Sequence, residues 1–172
     1  PSASALARYG SLVAWLALAC LTASLALRSV VTGHGPFVTQ HEFATSMAWG
    51  FLAMFLFFEW RYRARTLALL VLPITAGMEL YALTQATTVD PLVPALQNSL
   101  LLTTHIIVAV FAYGAFAVSF AAAALYLAQA WIPESLARVL PKPEVLDRLG
   151  YRAVVIGYPL LTMVIVLGAV WA

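Results

Sequence analysis

Charged residues divide the chain into five long apolar stretches, at about 9–28, 43–60, 66–85, 98–129 and 152–171. A helix needs roughly 20 apolar residues to cross about 30 Å of hydrocarbon, and each stretch is near that length or longer. None shows strand-length alternation, and backbone in lipid must satisfy its own hydrogen bonds, so the pattern predicts helices. The fourth stretch would reach about 45 Å at 1.5 Å per residue, so it is expected to tilt or to project from the bilayer. The expected fold is all-α: a single polytopic transmembrane domain of five helices over residues 1–172.

The links between the stretches set an orientation. Arg61, Arg63 and Arg65 lie between the second and third, and Arg138, Lys142, Arg148 and Arg152 lie between the fourth and fifth. With Arg8 they make eight basic residues on one side, against Arg28 alone on the other. Such a bias predicts a cytoplasmic N-terminus and an external C-terminus. All three histidines then fall at the external face. His34 and His41 sit in the link "GHGPFVTQHEF", and His105 sits near the external end of the fourth span. Arg28, Glu42 and Asp90 share that side, and Glu79 lies in the external half of the third span.

Composition narrows the class. The chain is 63% hydrophobic and 9% charged, with a mean hydropathy of +0.94, which excludes a soluble domain and a disordered chain. No basic run interleaved with aromatics points to nucleic acid. The lone Cys20 allows no intrachain disulfide and no C-x-x-C-H haem attachment, and it is expected to be buried and inert. "LALAC" faintly resembles a lipoprotein cleavage site, but the run is long enough to span and more spans follow. No phosphate loop, nucleophile elbow or metalloprotease motif is present, so conventional hydrolase chemistry is not expected.

His105 is the strongest candidate for chemistry. Ionisable groups inside membranes are costly and commonly functional. Its helical neighbours Ala109 and Ala112 leave room for a flat ligand or for a close helix. A neutral histidine bonded to another helix, with Glu79 as one candidate partner, is the competing view. His34 and His41 are weaker candidates, because loop histidines at a membrane surface are usually solvated. Glu42 suits a helix N-terminus. Glu79 needs a partner or a proton, and Arg28 on the same side suggests an ion pair. Cys20 aside, Trp60, Trp131 and Trp171 fit an interfacial aromatic belt, and Trp49 an interfacial or packing role. As haem ligands, His105 could pair only with His41 or His34, which allows one external haem and no two-haem chain across the membrane.

The stretches "TGHGPF…HEF…AWG", "DPLVPALQNSLLLTTHIIVAVFAYGAF" and "LDRLGYRAVVIGYPLLTMVIVLGAVWA" resemble the haem-handling cytochrome c biogenesis proteins of the CcsA/ResC type, from about Arg28 to Ala172. The resemblance implies haem as cofactor at the external face, with His105 as one axial ligand of the iron. It implies minor parts for Arg28, at a propionate, and for His34, His41 and Glu79 as walls of the site. Partners would be apocytochrome c, other biogenesis subunits and membrane lipid, in a bacterial plasma membrane or a thylakoid-type membrane. The family carries Tyr where this chain has His41. The family's tryptophan-rich loop and later histidines would follow "GAVWA", so the chain is expected to be the N-terminal part of a longer protein. It corresponds to part of a cytochrome c haem lyase or synthase without the haem platform that activity needs. A complete chain of this length would instead suit a haem-free membrane subunit of a respiratory or photosynthetic complex.

Overall fold

The structure is a computed structural model that describes residues 3–88 and 99–171. Asp90 and the "PALQN" motif lie outside the described residues. Six helices follow in order: α1 (Ala3–Thr32), α2 (Gln40–Tyr62), α3 (Ala68–Leu83), α4 (Ser99–Ala128), the short α5 (Glu134–Ala137) and α6 (Pro143–Trp171). A 3-10 turn at Arg65–Leu67 leads into α3. Five of these segments are long and apolar enough to cross a membrane, and no strand occurs among the described residues. The chain is an all-helical, multi-pass membrane protein.

The bundle is built around α2. It packs against α3 on one side and α4 on the other, α4 packs in turn on α6, and α1 lies against α2. Two-thirds of the α2 span is buried (67%) but only 6% of the α1 span, which makes α2 the core helix and leaves α1 an outer one. Cys20 on α1 is accordingly exposed. The expectation of a buried thiol fails because α1 meets the rest of the bundle along one narrow edge.

Small residues let the central helices approach closely. A Cβ on Gly50 would sit 2.2 Å from Val110 Cγ1, and one on Gly114 would sit 2.6 Å from Gly50 O. Helices α2 and α4 thus cross backbone to backbone, the arrangement that membrane helices favour where apolar burial gives no driving force. On the α6 side of α4, Ala112, Ala115 and Ala122 are fully buried. They meet Leu146, Leu149, Ala153 and Gly157 of α6. The space beside Ala109 and Ala112 is therefore filled by a neighbouring helix, not left for a flat ligand.

α6 begins at Pro143, well before the apolar stretch at 152. Leu146 and Leu149 are buried while Asp147 and Arg148 are exposed, so its first turns form an amphipathic extension. At this arginine-rich end Arg152 stacks over Tyr62, 4.6 Å from the ring centroid, and Arg61 approaches the same ring at 5.2 Å. The buried Glu59 accepts from Arg65 Nε at 3.1 Å and from Ser11 Oγ.

Candidate functional site

The opposite end of the bundle carries the histidines. It gathers the last turns of α1, the 33–39 link, the first turns of α2 and α4, and the last turns of α3 and α6. Gly33 closes α1 in the left-handed region (φ 73°), where a side chain would be strained, and its N–H donates to Ser29 O at 3.0 Å. The link then folds inward, with Pro36 O accepting from the buried Ser46 hydroxyl at 3.0 Å.

Thr39 and Glu42 open α2 with a capping box. The Thr39 hydroxyl accepts from the Glu42 N–H at 3.2 Å, and Glu42 Oε2 accepts from the N–H groups of Thr39 at 3.3 Å and Val38 at 2.9 Å. Glu42 Oε1 accepts from Arg28 Nε at 2.8 Å. Only 1% of the Glu42 side chain is exposed, so all of this satisfaction comes from protein. Arg28 also donates from Nη1 to Thr87 O and from Nη2 to Thr88 O, each at 2.9 Å. One guanidinium thereby ties α1 to the start of α2 and to the segment after α3. The Glu79–Arg28 pair expected from the sequence does not form. Arg28 turns to the carboxylate that lies across the short link, and three of its five N–H groups are committed to protein.

The three histidines do not converge. His41 directs Nδ1 at Ala82 O of α3, 2.9 Å away. A carbonyl can only accept, so Nδ1 carries the proton and Nε2 is the atom left for other interactions. His34 makes the same kind of bond to Gly35 O at 2.8 Å, and its buried Nε2 has no hydrogen-bond partner. His34 also borders an open cleft of about 580 Å³ with Ser29, Val30, Leu100 and Thr103. His105 lies on the other side of the bundle, half-buried between α4 and α6. A Cβ on Gly168 would lie 3.3 Å from its Cε1 and 3.8 Å from Nδ1, so the ring rests closely against this glycine of α6. Helices α2 and α4 stand between the His41–α3 contact and the His105–α6 contact.

Glu79 belongs to neither contact. It faces a groove between α1 and α3, where its Oε1 is buried without a hydrogen-bond partner, and it lies within electrostatic reach of His41. Among the described residues no three His, Cys, Asp or Glu side chains come together as a metal site. The buried Arg28–Glu42 pair and its capping box went unread in the sequence, although the spacing T-x-x-E at 39–42 is a sequence signature of such a cap.

Comparison with known proteins extends this picture. The family model for cytochrome C assembly protein matches residues 9–172. Protein HemX of Brevibacillus brevis is 31% identical over 159 residues, covering 87% of this chain and 57% of that protein. The cytochrome c biogenesis protein CcsA of Guillardia theta is 29% identical over 191 residues, covering 95% and 62%. Protein NrfI of Wolinella succinogenes is 31% identical over 94% of this chain but only 18% of its own length. The chain thus spans about three-fifths of the length of the first two relatives. No solved structure matches. The chain belongs to the cytochrome C assembly protein family.

Proposed function

We propose that this chain handles haem in c-type cytochrome biogenesis, with His105 supplying one axial imidazole at the external face of the membrane. The observation that carries it is the seat of His105. It is an ionisable ring placed two turns into α4, closely against Gly168 of α6. An intramembrane histidine held in that way, at the end of the bundle opposite the arginine-rich links, suits a ligand at the outer surface. Bound haem would supply redox-active iron and the vinyl groups that c-type attachment uses. The chain's own residues hold and orient the imidazole through α4 and α6.

Arg28 and Glu42 act as a strut that fixes the link above the site. His34 and His41 stand apart from the His105 ring, each with its own orientation set by a backbone carbonyl. Apocytochrome c and other biogenesis subunits are the partners on this view, and the second axial ligand comes from outside the described residues. Haem titration of the purified chain and of its His105→Ala variant tests the assignment.

A further inference from the structure

The groove between α1 and α3 is a second site, independent of the haem assignment. It encloses about 680 Å³ and is walled by Val13, Ala17, Cys20, Leu72 and Thr75, with Glu79 as its carboxyl group. α1 packs chiefly on α2, and the groove between α1 and α3 is open along one side. We propose that it binds the head of a membrane-soluble quinol, with a phenolic hydroxyl donating to Glu79 Oε1.

Three features select that chemistry. The volume lies in the range of small-molecule sites and accommodates a substituted ring with the first part of a tail. The walls are apolar, which rejects hydrated or charged ligands. Glu79 Oε1 is buried with no hydrogen-bond partner, and such an oxygen is costly until a donor reaches it. The Thr75 hydroxyl does not serve, because it donates to Val71 O at 2.8 Å. An acyl chain brings no donor, and a lipid phosphate brings negative charge against a carboxylate. Glu79 lies four residues before Leu83 at the end of α3, which puts it about 6 Å down the helix axis. A neutral ring with a hydroxyl, arriving through the bilayer, meets the depth and the missing donor together.

Cys20 is the chain's sole cysteine and lines the same groove, so it reports occupancy. The experiment measures alkylation of Cys20 by a lipophilic maleimide, with the purified chain in phosphatidylcholine nanodiscs under nitrogen and increasing decylubiquinol. The expected result is saturable slowing of alkylation. Glu79→Leu should weaken the apparent affinity about fivefold, the size of one hydrogen bond. Glu79→Gln, which keeps the shape and a weaker acceptor, should weaken it less, and Ala17→Phe should abolish protection by filling the groove. Thermal unfolding confirms that each variant is folded. Equal protection by decylbenzene, which has no hydroxyl, or unchanged affinity in both Glu79 variants, overturns the proposal.

Discussion

Arg28 Nε stands 2.8 Å from Glu42 Oε1, and this contact joins α1 to the first turn of α2. Removing one partner of a buried ion pair leaves the other charge uncompensated, at a cost of about 3–5 kcal/mol. Arg28→Ala should therefore lower stability by about 3 kcal/mol, toward the low end because the arginine is partly exposed. Glu42→Ala should cost at least as much, because it also removes the cap. The double variant should lose less than the sum of the two, as coupled neighbours do. Thermal unfolding in detergent checks the cycle, and strict additivity would show that the pair carries no coupling.

The α2–α4 crossing gives a contrast between glycines. Gly50→Ala places its Cβ against Val110 Cγ1 and, at 2.8 Å, Val110 O, so the helices must separate. Overpacking of this kind costs about 1–3 kcal/mol. At Gly150 a Cβ would meet nothing closer than Ala122 Cβ at 3.7 Å, so Gly150→Ala should be neutral or should stabilise by up to about 1 kcal/mol through helix propensity. Unfolding midpoints of the two variants should move in opposite directions or differ clearly in size.

Much of the architecture was legible because charge marks the ends of membrane helices. Arg63 and Arg65 fall between α2 and α3, and Arg61 lies in the last turn of α2. The same rule misplaced the start of α6. Asp147, Arg148 and Arg152 look like link residues, yet they lie on a helix whose buried Leu146 and Leu149 hold it to the bundle. The site was legible in part. That the histidines share one end follows from span counting, but which faces they occupy does not. His41 turns to α3 and His105 to α6, a division set by helix rotation about α2 and α4 that residue spacing does not encode. The choice of Glu42 over Glu79 as the partner of Arg28 likewise depends on how the 33–39 link folds back.

Neither His41 nor His34 should act as a haem ligand. His41→Ala removes one bond between α2 and α3 and should cost about 1 kcal/mol of stability. Neither His41→Ala nor His34→Ala should change the haem bound per chain, measured by absorbance of the titrated protein. Loss of haem in either variant would make that histidine a ligand.

The proposed orientation is open to chemical labelling. In a Cys20→Ser background, Gln40→Cys and Ser135→Cys place single thiols at exposed positions on opposite ends of the bundle. A membrane-impermeant maleimide added to intact cells should label Gln40→Cys and spare Ser135→Cys until the membrane is opened. The reverse pattern would invert the topology and put His105 on the cytoplasmic side.

Gly168 offers a finer probe of the His105 seat. With a Cβ 3.3 Å from the ring, Gly168→Ala forces the imidazole to shift by a few tenths of an ångström. Haem affinity should fall in that variant while the fold persists, and Gly168→Leu should displace the ring altogether. Absorbance titration beside thermal unfolding separates the two effects.

The most direct measurement is the haem absorption spectrum of the purified chain, in oxidised and reduced forms, with and without His105. The unaltered chain should give the spectrum of an imidazole-ligated haem. His105→Ala should lose it, and added imidazole should restore it by filling the vacated axial position. A folded His105→Ala variant with the same spectrum and the same haem content as the unaltered chain would contradict ligation by His105.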